Sequence, residues 1–197
     1  MDRLVKTHKD CEVLALTGDC ASLLTSRVSE DWNRWPQYYK FCVPGNHDSA
    51  NTFIHLDRWH HNTPWIKRVK TLTFIGIDTS AGFGSVEDQI ESLNYLVVRN
   101  CRGLVVLSHQ WPKNKDVDMM CNILKKLTRG RKILFLHGHE HPSDFNGSAW
   151  YPNAKLNNIE CCRSHVYSGV NNSRKGMGHS ITWNPSEWTF DCVVVVP

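Results

Sequence analysis

Two short segments of the chain carry side chains able to bind metals and move protons. His137-Gly138-His139-Glu140-His141 follows the apolar run Ile133-Leu134-Phe135-Leu136, and Gly45-Asn46-His47-Asp48 follows the extended apolar residues 39–43. Gly18-Asp19 after Val13-Leu14-Ala15-Leu16-Thr17, and Ser108-His109 after Leu104-Val105-Val106-Leu107, repeat the arrangement. Asp19, Asn46, His109 and the pair His139 and His141 thus offer one carboxylate, one amide oxygen and two or three imidazoles from successive strand ends. Such a mixed nitrogen and oxygen shell suits a divalent transition metal such as manganese, iron or zinc, whereas magnesium and calcium prefer oxygen alone. A metal so held acidifies bound water and polarises a phosphoryl oxygen, and two metals about 3.5–4 Å apart also clamp the attacking and leaving oxygens. Phosphoester hydrolysis is the chemistry this suits. His137, one residue before Gly138, faces the other way along an extended chain and is expected in the core or behind the ligands.

For these residues to meet, the segments before them must be neighbouring strands. Residues 13–17 read as a buried strand stopped by Gly18, and 39–43, 69–77, 104–107 and 133–136 as further strands. Residues 31–37 read as helical or irregular, 86–98 as a helix after a turn at Gly82 and Gly84, and 116–127 as the helix feeding the strand before His137. Alternating strands and helices predict a layered α/β fold, in which the carboxyl ends of neighbouring strands form the crevice where ligands bind. Beyond His141 the chain turns β-rich, with strands expected over 166–168, 179–183 and 188–196. Residues 146–158 read as the longest loop, a rim or lid beside the site.

A chain of 197 residues with 41% hydrophobic composition suits one domain with a substantial core. The net charge of +4 is scattered, and its tightest group, Lys125, Lys126, Arg129, Arg131 and Lys132, suits a solvated helix C-terminus better than a nucleic-acid patch. Eight cysteines include no C-x-x-C pair, and the adjacent Cys161 and Cys162 are poorly spaced for bridging, so free thiols in a cytoplasmic protein are expected. No apolar stretch is long enough for a signal peptide or a membrane span.

Taken in order, Gly18-Asp19, Gly45-Asn46-His47-Asp48, His109 and Gly138-His139-Glu140-His141 resemble the motif series of the calcineurin-like metallophosphoesterase superfamily. The resemblance spans residues 10–141 and extends to Ile75-Gly76-Ile77-Asp78-Thr79, to Gln89 and its helix, and to Leu107-Ser108-His109. It implies a four-layer α-β-β-α sandwich over one domain, residues 1–197, with metals at the strand C-termini. By this resemblance Asp19 bridges two metals, Asn46, His109 and His139 complete one of them, and His141 serves the other. His47 contacts the phosphate and protonates the leaving oxygen, while Asn46 also steers a phosphoryl oxygen. An imidazole suits the first role because it exchanges protons near neutral pH.

The resemblance breaks at the front. The superfamily's D-x-H motif brings two ligands to the first metal and stands some tens of residues before the G-D. The 18 residues before Asp19 hold Asp2, His8 and Asp10 but no D-x-H. The expectation is therefore a domain short of its first strand, with an exposed edge on the 13–17 strand. One metal keeps its full set of ligands and the other keeps only Asp19 and His141, one tight site and one weak or vacant. Three readings stay open: a chain that begins downstream of its motif, an active one-metal phosphoesterase, or a catalytically impaired relative that uses this face for binding or regulation. A second departure is Ser22, which stands where the protein-phosphatase branch has an Asp that orients the catalytic His. Asp48 is then the candidate to orient His47, and a phosphodiester or nucleotide is the favoured substrate class.

Overall fold

A computed structural model of the protein describes residues 6, 8–19, 34–48, 63–81, 86–93, 103–110, 133–139, 150–156, 159–163, 178–187 and 189–195. Val13–Leu16 (β1) and Tyr39–Cys42 (β2) pair in parallel. Trp65–Val69 (β3) and Leu72–Gly76 (β4) form an antiparallel hairpin turned at Lys70 and Thr71, with Lys70 at φ 51°. The helix Val86–Leu93 (α1) follows, and then Gly103–Leu107 (β5) and Ile133–His137 (β6) extend the sheet in parallel from β4. Trp150–Leu156 (β7) and Ile159–Arg163 (β8) complete it, in the order β3-β4-β5-β6-β8-β7. Gly178–Asn184 (β9) and Thr189–Val195 (β10) make a second antiparallel hairpin. Among the described residues the fold is thus mixed α/β, and no helix in them is long and apolar enough to cross a membrane.

The unbroken apolar runs of β5 and β6 follow from burial on both faces, as in central parallel strands. Every residue of both strands is buried. One face, carrying Phe74, Val105, Leu107, Leu134 and Leu136, packs against Phe41 and Val43 from β2 and its end, so the two parallel sets meet in one core. Each such side chain stabilises the fold by about 1.5–3 kcal/mol when fully buried. Ile181 and Trp183 of β9 close on the same core, and the Trp183 indole donates to the Thr71 hydroxyl at 3.2 Å. Phe135 and His137 lie on the opposite face of β6, where alternation along the strand puts them.

Two elements differ from the sequence-based expectation. The strand expected over 69–77 is split: Val69 ends β3, and β4 begins only at Leu72 after the turn. β3 was hidden because its charged Lys67 and Arg68 interrupt the apolar pattern of Trp65, Ile66 and Val69. Residues 146–158 are no simple loop, because Trp150–Leu156 is strand β7, paired to β8 with a register shift between Tyr151 and Leu156. Pro152 and the asparagines gave that segment its loop-like composition, and an edge strand tolerates both. The expected strands at 179–183 and 188–196 correspond to β9 and β10. The helix at 116–127, the strand at 166–168 and the far end of the 86–98 helix lie outside the described residues.

Trp65 ties the two sheets together. Its indole N–H donates to the Cys42 carbonyl of β2 at 3.2 Å, and its ring lies over Gly76, its cross-strand partner. A Cβ on Gly76 would run into that ring. A Gly76→Ala substitution therefore displaces the indole and is expected to lower stability by about 1–3 kcal/mol, the usual cost of overpacking. A urea midpoint equal to that of the parent would contradict this.

Candidate metal centre

The site is assembled at one end of the parallel strands. Past the strands proper the backbone stays paired: the Ile77 amide donates to Leu107, Ser108 to Leu136 and Gly138 to His109, each at 3.0 Å, and Val43 donates to Leu16 at 3.2 Å. These bonds carry the register beyond β1, β2, β5 and β6, so the residues just after them stay neighbours. Asp19 follows β1, Asn46 follows β2, His109 follows β5 and His139 follows β6.

His109 forms the buried floor, at 1% exposure. Its Nδ1 lies 2.8 Å from the Thr17 carbonyl, an oxygen that can only accept, so Nδ1 carries the proton and donates. When the ring is neutral, this leaves a lone pair at Nε2. Around that nitrogen stand Asn46 Oδ1 at 2.8 Å, His139 Nδ1 at 3.1 Å and Asp19 Oδ2 at 3.4 Å, with His139 Nδ1 also 3.0 Å from Asn46 Oδ1. The donor atoms of Asp19, His109 and His139 all fall within 4.8 Å of one another. Atoms able to ligate a cation thus converge on one point. One carboxylate and two imidazoles so placed are a group that could hold a metal ion, and the bond from His109 to Thr17 is the kind of outer contact that fixes the tautomer of a metal-binding imidazole.

The two Asp19 oxygens divide the work. Oδ2 faces His109, while Oδ1 accepts the His47 amide at 3.0 Å and so ties the 45–48 turn to the site. Close backbone approach makes this possible: a Cβ on Gly45 would collide with Asp19, and one on Gly18 would come 2.6 Å from His109 Nδ1. Gly18 also needs its glycine for φ 95°. Asp19 and His139 themselves adopt φ 56° and 71°. Left-handed non-glycine residues cost about 1–3 kcal/mol each and cluster where surrounding contacts over-determine them.

Of the residues singled out in the sequence, Asp19, Asn46, His109 and His139 are brought together. His47 is exposed at the rim of the cluster. Asp48 turns its Oδ2 back to accept the Gly45 amide at 2.8 Å, and its own amide donates to the Gly45 carbonyl at 3.1 Å, which shapes the turn. Burial, aided by the Asp48 charge, raises the Cys42 thiol to about 12, so it stays protonated beneath the site. His137 is buried beside Phe135, outside the cluster. His141 lies outside the described residues. Two participants were given no role from the sequence: the Thr17 carbonyl, which any residue type supplies, and the hydroxyl of Thr79, which lies within the resembling segment 75–79 and accepts the amides of His109 and Gln110 at 3.0 and 2.8 Å.

The left-handed backbone at His139 yields a stability test independent of any ligand. His139→Ala and His139→Gly both delete the imidazole, but only glycine adopts that φ freely. In metal-free urea unfolding the glycine variant is expected to be the more stable by about 1 kcal/mol. Equal stability, or a more stable alanine variant, would show that the position is unstrained.

Among known proteins, no family model matches the chain, and neither a curated protein nor a solved structure matches it, so what the site does must be read from its own geometry.

Proposed function

We propose that the protein is a metal-dependent phosphoesterase of the calcineurin-like kind, with the four-layer α-β-β-α arrangement as its complete architecture. The observation that supports this best is the convergence of Asp19, His109 and His139, with Asn46, at the C-terminal ends of parallel strands. A divalent transition metal held there supplies Lewis acidity, acidifying a water ligand and polarising a phosphoryl oxygen.

The protein's own groups supply the rest. Asn46 turns Oδ1 into the cluster, which leaves its amide N–H groups to steer a phosphoryl oxygen. His47, carried on the turn that Asp19 Oδ1 holds, is exposed beside the cluster and is assigned to protonate the leaving oxygen. Thr17 keeps the His109 lone pair aimed inward. Asp19 with His141 is assigned to a second and weaker ion. A phosphodiester or nucleotide is the proposed substrate class.

After purification with manganese, one tightly held ion per chain is expected, together with hydrolysis of bis-p-nitrophenyl phosphate. His109→Ala is expected to abolish both. Two tight ions would overturn the assignment of a weak second site. No metal and no hydrolysis would overturn the enzyme reading, and tight metal without hydrolysis would identify an impaired relative that uses this face for binding. His47→Ala should keep its manganese yet cleave a dinucleotide about 10²–10⁴-fold more slowly, as loss of a general acid does. Its loss on bis-p-nitrophenyl phosphate should be smaller, because nitrophenolate leaves without a proton. Equal losses on the two substrates would move His47 from proton donor to phosphate binder.

A further inference from the structure

Beyond β5 the amides of His109 and Gln110 find their acceptor in a single side chain. Thr79, fully buried, takes both on Oγ1, at 3.0 and 2.8 Å. The loop that carries Thr79 is itself clamped: the Asp78 amide donates to Gln89 Oε1 at 2.7 Å, and Gln89 Nε2 donates to the Asp78 carbonyl at 2.8 Å, fastening the loop to α1. Asp78 Oδ1 accepts the Ser80 amide and hydroxyl at 2.8 and 2.7 Å, which closes the turn. On the other side the Ser108 hydroxyl donates to the Gln110 carbonyl at 2.7 Å, and Gln110 Nε2 reaches the Ser80 carbonyl at 3.4 Å. The loops 78–80 and 108–110 are thus one knitted unit.

We infer that Thr79 is the positioning residue for His109: its hydroxyl, braced by the clamp between Gln89 and Asp78, sets the backbone from which the imidazole reaches Thr17 and the cluster. Buried amides must find acceptors, and a valine at 79 would keep the shape while orphaning two of them. The ring would then lose its fixed reach to Thr17, and with it the single tautomer that leaves the Nε2 lone pair facing inward. The consequence for metal affinity rests on the proposed metal site, but the effect on the ring does not.

The test uses nitrogen NMR of the His109 ring in metal-free protein, followed by manganese titration. The parent should show the Nδ1–H tautomer. Thr79→Val is expected to mix the tautomers and to weaken manganese binding about 10–100-fold, the usual cost of losing an outer-shell partner. Thr79→Ser, which keeps the acceptor, should stay close to the parent in both. A valine variant with the parent's tautomer and affinity would overturn the inference, and so would a serine variant as impaired as the valine one. Should the valine variant not fold, Gln89→Leu removes the brace and leaves the hydroxyl; it should mix the tautomers, and a parent-like ring would overturn the inference. If the parent binds no manganese, the metal reading falls while the tautomers still decide the brace.

Discussion

The contact on which most of the site depends is the hydrogen bond from His109 Nδ1 to the Thr17 carbonyl. It joins the end of β5 to the end of β1, strands of two different sheets that meet in the core. Because a carbonyl oxygen cannot donate, the bond places a proton on Nδ1 and, in the neutral ring, leaves the lone pair on Nε2. With the lone pair on Nε2 the ring offers the cluster an acceptor, whereas with the proton on Nε2 His109 would be a donor toward Asn46 and Asp19.

That contact is possible only because the backbones come unusually close. Gly18 and Gly45 lie where a Cβ would strike His109 or Asp19, so the glycines of the two motifs serve approach as much as turning. The close approach has a conformational cost in the left-handed Asp19 and His139, which the paired backbone beyond the strands holds in place. Leu107, Leu136 and Val43 are buried behind this sheet end and anchor the backbone from which the site residues project.

The same framework explains why His47 differs from its neighbours. It is the one proposed catalytic group that the cluster leaves outside: its amide is bound to Asp19 while the residue itself is exposed. A proton donor to a leaving group must reach the substrate rather than the metal, and an exposed ring on an anchored backbone meets that requirement. Cys42 shows the opposite outcome, a thiol that burial and the nearby Asp48 charge hold in its protonated form.

Local sequence was enough to name Asp19, Asn46, His109 and His139 as candidates, since each follows an apolar run and a strand end is where a chain must present polar groups. It was enough as well for the apolar cores of β5 and β6, whose residues are buried whichever face they take. It could not reveal β3 or β7, because Lys67, Arg68 and Pro152 break the apolar pattern by which a strand is read, and they are accommodated because both strands lie at the edges of the sheet. Nor could it reveal the roles of the Thr17 carbonyl and the Thr79 hydroxyl. A backbone oxygen has no residue signature, and a threonine accepts two distant amides only when the loops 78–80 and 108–110 are brought together. The sequence thus determined which chemical groups are available at the strand ends. Tertiary structure alone decided which nitrogen of His109 faces them, because that depends on a bond spanning 92 positions of the chain.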